Sequence, residues 1–189
     1  MMETAQVSNP PFMIDAAASK FTVQAIASGL LSSFGHSPTF TIRDFDGAAV
    51  FWPDAPESAS LSLKVRTSSL SVQDDVKEKD KQEIEQTMHK DVLETEKYPE
   101  IVFETSRVAA TKIGDGEYRA DISGTLKLHG ITKSHAMTAN LSLKGDTLRA
   151  TGSFPLRQTD YGIKLVSAVA GALKVKDEVK FSFDIQARR

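Results

Sequence analysis

The stretch YRADISGTLKLHGITKSHAMTANLSL, residues 118–143, decides the fold. Tyr118, Ala120, Ile122, Gly124, Leu126 and Leu128 share one parity, and Arg119, Asp121, Ser123, Thr125 and Lys127 take the other. A period of two marks a strand with one dry and one wet face. After a turn expected at His129 to Ser134, the dry parity resumes with His135, Met137, Ala139, Leu141 and Leu143. At ~3.3 Å per residue the two runs would extend roughly 30 to 36 Å, too long to stand alone. The dry faces call for a large antiparallel sheet, and closing it into a barrel also removes its exposed edges.

The rest of the chain fits that expectation. Its 189 residues, 40% hydrophobic and 25% charged, suit one domain with a sizeable core. The 23 basic and 25 acidic residues nearly balance without a basic block, which argues against nucleic acid as a partner. No Cys is present, which excludes disulfides and thiolate chemistry. No run approaches the roughly 18 apolar residues of an integral membrane span. Met1 to Ser19 has no Lys or Arg and no continuous apolar segment, so it does not read as a secretion signal. The expected location is cytoplasmic, or periplasmic if a signal has been trimmed.

Residues 1–18, with Pro10-Pro11, read as an extended or poorly ordered lead-in, leaving 19–189 as the barrel domain. Strands are expected at Lys20 to Gly29, Ser37 to Arg43, Gly47 to Trp52 and Ser58 to Arg66, with Asp46-Gly47 as a hairpin turn. From Asp74 the pattern becomes highly charged, with Ile84, Met88 and Val92 at four-residue spacing. This predicts one amphipathic helix over about 75–95, N-capped by Asp74 or Asp75 and sealing one side or end of the barrel. Its mixed charge fits a partner-binding or membrane-touching face less well. Strands resume at Ile101 to Lys112, and Gly145 opens a type II-prime hairpin. Leu148, Ala150, Gly152, Phe154 and Leu156 form a further dry face, 158–176 a long loop, and Val179, Phe181, Phe183 and Ile185 a last strand. Loops of that length often carry ligand control.

With the turns so placed, Thr105 should face Gly124, Gly124 should face Ala139, and Ala139 should face Gly152. This row of small residues would thin the wall at its waist, flanked by Ile122, Leu126, Met137, Leu141 and Phe154. About eight strands enclose enough space for side chains or for one slender ligand, so such a row argues for a lumen. Alternatively, Gly124 and Gly152 relieve strain where the sheet bends. The same register turns Arg107 inward, unless a bulge after Thr105 rotates it out or it meets a polar head group. His135 falls at a strand end, as a rim residue or a ligand contact.

These residues also carry a resemblance. Tyr98-Pro99-Glu100-Ile101-Val102-Phe103-Glu104-Thr105, followed by Gly124-Thr125-Leu126-Lys127-Leu128-His129-Gly130-Ile131-Thr132, resembles the YceI-like or polyisoprenoid-binding family. Leu156-Arg157-Gln158-Thr159-Asp160-Tyr161-Gly162-Ile163 is similar to its Arg-x-x-Asp-Phe/Tyr-Gly-Ile signature, and Val175 to Val179 to its closing strand. The likeness covers roughly residues 20–187. It implies a mainly β fold, a lipocalin-like antiparallel barrel of about eight strands with one helix. The implied ligand is a long isoprenoid, with quinone tails and fatty acid derivatives as further candidates. Phe103, Leu126 and Leu128 would face the lumen, and the loop from Asp160 to Leu173 would gate or shape an end. Tyr161 would offer a polar contact or pack its ring there. Family members commonly carry a secretion signal and often a His near the position of Ala25, and this sequence has neither. They include homodimers, which leaves a homodimer open here, although no coiled-coil seam or apolar surface stripe declares one.

No catalytic constellation is visible: there is no Gly-x-Ser-x-Gly, His-Glu-x-x-His or Gly-rich phosphate loop. His129 and His135 flank a turn without a carboxylate or Cys at matching spacing, so no metal or cofactor is assigned. The leading expectation is a non-enzymatic carrier that stores or transports a long apolar isoprenoid or acyl lipid in its lumen. The last strand's Phe181 and Phe183 join Phe103, Ile122, Gly124, Leu126, Leu128, Met137, Ala139, Leu141, Gly152, Phe154 and Tyr161 as candidate ligand contacts. The alternative is a filled barrel acting as a structural or protein-interaction module. An enzyme acting on a lipid has no residue support.

Overall fold

A computed structural model describes residues 10–28, 37–168 and 173–189. The first nine residues of the expected lead-in, Gly29 at the end of the expected first strand, and 169–172 of the expected long loop lie outside it. Within it run β1 (Phe12–Ser28), β2 (Thr39–Ile42), β3 (Phe45–Val50), β4 (Ser60–Arg66) and β5 (Leu70–Val72). The helix α1 (Glu78–Thr87) continues as a π turn over Met88–Val92. Then follow β6 (Glu100–Gly114), β7 (Glu117–Leu128), β8 (Ile131–Lys144), β9 (Thr147–Arg157), β10 (Ser167–Ala168) and β11 (Leu173–Arg188).

These segments build a closed barrel of eight antiparallel strands. Both β2 and β3 run antiparallel to β1, at Thr22↔Thr41 and Phe12↔Ala49, and so form one bent strand. Likewise β4 and β5, separated by a 3-10 turn at Thr67–Ser69, form one strand beside it. The meander β6 to β9 follows, and β11 pairs with both β9 and β1 to close the ring. Among the described residues no helix is long and apolar enough to cross a membrane.

Several boundaries differ from the sequence expectation. The first strand starts at Phe12, which is 1% exposed, inside the stretch read as lead-in. One aromatic anchor outweighs the Pro pair before it. Asp46-Gly47 is no hairpin turn, because Gly47 pairs with Leu63 in mid-strand, where a Cβ would collide with the Ser62 carbonyl. The bend sits instead at Asp44, whose carbonyl accepts from Arg66 N–H (3.0 Å) and whose carboxylate bridges its guanidinium (3.3 Å). The helix is shorter than 75–95 and lacks a side-chain cap at Lys77. Asp74 accepts from Thr39 N–H (2.6 Å) and is spent on β2. Glu85 accepts from Val72 N–H (2.8 Å), which pins α1 to β5 over one barrel end. The 158–176 loop contains a 3-10 turn at Gln158–Tyr161 and the β10–β11 ladder, so the last strand begins at Leu173. The II-prime turn is present, with Gly145 at φ +56° between paired Lys144 and Thr147.

Candidate functional site

The predicted parity holds along the meander. Tyr118, Ala120, Ile122, Gly124, Leu126 and Leu128 are buried while the intervening β7 residues are exposed. Among the described residues, two cavities occupy the lumen they face. The first, about 150 Å³, is lined by Phe103, Ile122, Leu126, Leu128, Met137, Ala139, Leu141, Phe154, Phe181 and Phe183, all expected from the sequence. Residues of the first strands, such as Ile14, Phe51 and Leu61, complete it. The second, about 430 Å³, lies beneath the helix against Ile84, Met88, Val92 and Leu93, with Phe40, Val179 and Ile163 among its walls. Ile101, Leu128, Leu156 and Phe181 line both, so this quartet is the waist between two chambers in series.

That waist is not the expected small-residue row. Thr105 does face Gly124, but Gly124 then faces His135, and Ala139 faces Ala120. The reason lies in the turn. His129 (φ +51°) and Gly130 (φ +77°) form a two-residue turn of I-prime sign, so pairing resumes at Leu128↔Ile131 and not after Ser134. Four residues of the expected loop therefore belong to β8. Nor do Gly124 and Gly152 line either chamber. A Cβ on Gly124 would strike the Glu104 carbonyl and approach the Phe103 ring at 2.8 Å. One on Gly152 would lie 2.7 Å from both the Phe183 ring and the Thr138 carbonyl. Each glycine is thus roofed by a phenylalanine from a neighbouring strand, which compensates for its missing side chain.

Aromatic rings organise the space. Phe154 and Phe181 stack nearly parallel at 5.0 Å, Phe181 meets Phe21 at 6.0 Å, and Phe21 meets Phe45 edge-on at 5.8 Å. His135 joins the row edge-on to Phe154 at 4.8 Å. It sits within β8, not at a strand end, and with Ser60 it supplies the only polar lining of the first chamber among the described residues. Its Nε2 is buried without a hydrogen-bond partner among the described residues, and burial lowers its pKa below the ordinary 6.5. Arg107 points outward because a bulge after Thr105 turns it. Tyr161 is buried but borders an outer groove, not the lumen.

The second histidine flanking the β7–β8 turn, His129, is structural. One His129 nitrogen lies 2.7 Å from a Glu94 carboxylate oxygen and the other 3.2 Å from the Tyr161 carbonyl, while the ring packs on Tyr98 at 4.3 Å. Both nitrogens are engaged by protein atoms, which ties the helix exit to the β7–β8 turn and the 3-10 turn. Sequence reasoning missed Gln158, which lines the second chamber and donates from Nε2 to the Lys176 carbonyl (3.0 Å). It also left the helix residues outside the site. Their four-residue spacing was legible, but what they faced was not.

A closed eight-stranded antiparallel barrel with an apolar, helix-capped lumen defines a lipocalin-like class of protein. The chain belongs to the YceI-like domain family, which it matches over residues 12–187. It is 31% identical over 170 residues to a UPF0312 protein of Pseudomonas savastanoi pv. phaseolicola, covering 87% of this chain and 82% of that one. Among solved structures, it is similar to BcnA of Burkholderia cenocepacia, with TM-score 0.71, 19% identity, and 92% and 99% of the two chains covered. It is also similar to a polyisoprenoid binding domain from Saccharophagus degradans implicated in plant cell wall breakdown, with TM-score 0.66, 16% identity, and 94% and 97% covered. These structural likenesses show a common fold.

Proposed function

We propose that this protein binds a single long apolar lipid, a polyisoprenoid, quinone tail or fatty acid derivative, and stores or transports it without a catalytic step. The observation that carries this reading is the pair of apolar chambers meeting at Ile101, Leu128, Leu156 and Phe181. A dry cavity of ~150 Å³ takes one benzene. On that scale chambers of about 150 and 430 Å³ take a chain on the order of twenty carbons. Burial at ~25 cal/mol per Å² of apolar surface supplies the driving force, and length and width are selected more strongly than head group. The Saccharophagus degradans relative, described as a polyisoprenoid binding domain, supports the same reading.

The test is native mass spectrometry of freshly purified protein beside analysis of its organic extract. A bound mass matching an extracted isoprenoid or acyl chain is the expected result. A ligand-free mass that persists after isoprenoid and fatty acid are added overturns the carrier reading in favour of a filled interaction module.

A further inference from the structure

The wall of the barrel is incomplete between β8 and β9. The two strands pair only over Asn140–Lys144 with Thr147–Thr151. Beyond that, β8 continues back to Ile131 bonded to β7, and β9 continues to Arg157 bonded to β11, without pairing to each other. A groove of about 280 Å³ runs where the ladder stops, with Lys133, Ser134 and His135 on one side and Pro155, Leu156 and Arg157 on the other. Pro155 has no N–H to offer a ladder. Asp160, Tyr161 and Glu178 complete the groove, and Lys133 reaches Asp160 at 3.8 Å.

Two groove residues are also lumen residues. His135 lines the first chamber, and Leu156 lines both chambers at the waist. Side chains, not hydrogen-bonded backbone, therefore separate the lumen from the groove here. Swinging a side chain aside breaks no ladder bonds, whereas opening a paired seam breaks several. The exposed face of the groove offers Lys133 and Arg157 beside Asp160 and Glu178. The buried Nε2 of His135 has no hydrogen-bond partner among the described residues.

We infer that this seam is a lateral portal, gated by His135 and Leu156, through which the lipid chain enters and leaves and at which its polar end is held. The inference rests on the lipid-carrier reading and adds its route and the site of its head group. His135 Nε2 would hydrogen-bond a hydroxyl, carbonyl or phosphoryl oxygen there, and the apolar tail would run past Leu156 into the chambers.

The chain has no native Cys, so the seam is open to selective bridging. In an Ala136→Cys/Pro155→Cys variant the two thiols lie on the exposed parity of the unpaired lengths, outside the lumen. A short reducible bis-methanethiosulfonate joins them. Lys144→Cys/Thr147→Cys, bridged at the paired end of the same two strands, is the control. Uptake of dansylated geranylgeraniol is followed by stopped-flow fluorescence, with thermal melting to verify the fold. The expected result is uptake and release slowed about tenfold or more in the seam-bridged protein, restored by reductant, and unchanged in the control. Equal rates before and after bridging in folded protein overturn the portal and leave the carrier reading standing. No uptake by the unbridged wild type overturns the carrier reading and the portal with it.

Discussion

His135 meets Phe154 edge-on at 4.8 Å, at the end of a row of rings that runs along neighbouring strands of the wall through Phe181 and Phe21 to Phe45. An imidazole is thus held in an aromatic wall with its Nε2 buried and unpartnered. The same ring lines the lumen and borders the outer groove. Charge, length and packing of the lumen each yield a separate expectation.

Burial lowers the pKa of His135 below 6.5, so the unfolded chain takes up this proton first as pH falls. The folded state carries no penalty from this group above the unfolded pKa and loses stability as pH drops through 6.5 toward the folded value. Lys133, Arg157, Asp160, Tyr161 and Glu178 face the same groove. Melting temperature should therefore fall from about pH 7.5 to about pH 5.5 in wild type and fall less in His135→Gln. Identical slopes would show that the ring is solvated.

Gly124→Ala and Gly152→Ala should each destabilise the barrel by roughly 1–3 kcal/mol in urea titration, because the new Cβ meets a neighbouring carbonyl and a phenylalanine ring. Larger side chains at these positions should prevent folding and not merely plug the lumen. A stable Gly124→Leu variant with impaired ligand uptake would restore the small-residue waist.

Leu128→Phe adds bulk to the quartet shared by the chambers. The expected cost in stability is about 1–3 kcal/mol from overpacking. Native mass spectra after incubation with a series of prenols should show the longest retained chain shortened. An unchanged length limit would place the constriction elsewhere.

Two partly exposed carboxylates act at lower pH. Asp177 has its pKa lowered from 3.8, first by the Thr159 hydroxyl (2.7 Å) and backbone N–H (2.8 Å), then by Arg157 (3.1 Å). Asp184 has its pKa lowered by the two hydrogen bonds from Arg149, at 2.7 and 2.6 Å. Their stabilisation is present above 3.8 and is lost as pH falls through the lower folded values. The acid limb of a melting curve below about pH 4 should accordingly be shallower in Asp184→Asn than in wild type. Superimposable limbs would assign acid unfolding to other groups.

The dry parity of residues 118–143 and the closed antiparallel barrel were legible because a two-residue period is a local property of the chain. Most lumen residues followed from it, since alternate side chains of a strand must share a face. The register that sets Thr105 opposite Gly124 was legible, but that of β7 against β8 was not. Whether the chain turns at His129-Gly130 or travels on to Ser134 depends on left-handed backbone at His129, held by Glu94, Tyr98 and Tyr161 from distant segments. That four-residue difference moved His135 from an expected rim into the wall opposite Gly124 and dissolved the row of small residues. The helix offered a similar division. Its apolar spacing lay in the sequence, but its role as roof of the larger chamber required β5 and the barrel end beneath it. The sequence alone determined which side chains face inward, because that is set by neighbours along the chain. Which of them meet, how the lumen is divided, and where β8 parts from β9 were decided by contacts between segments far apart in sequence.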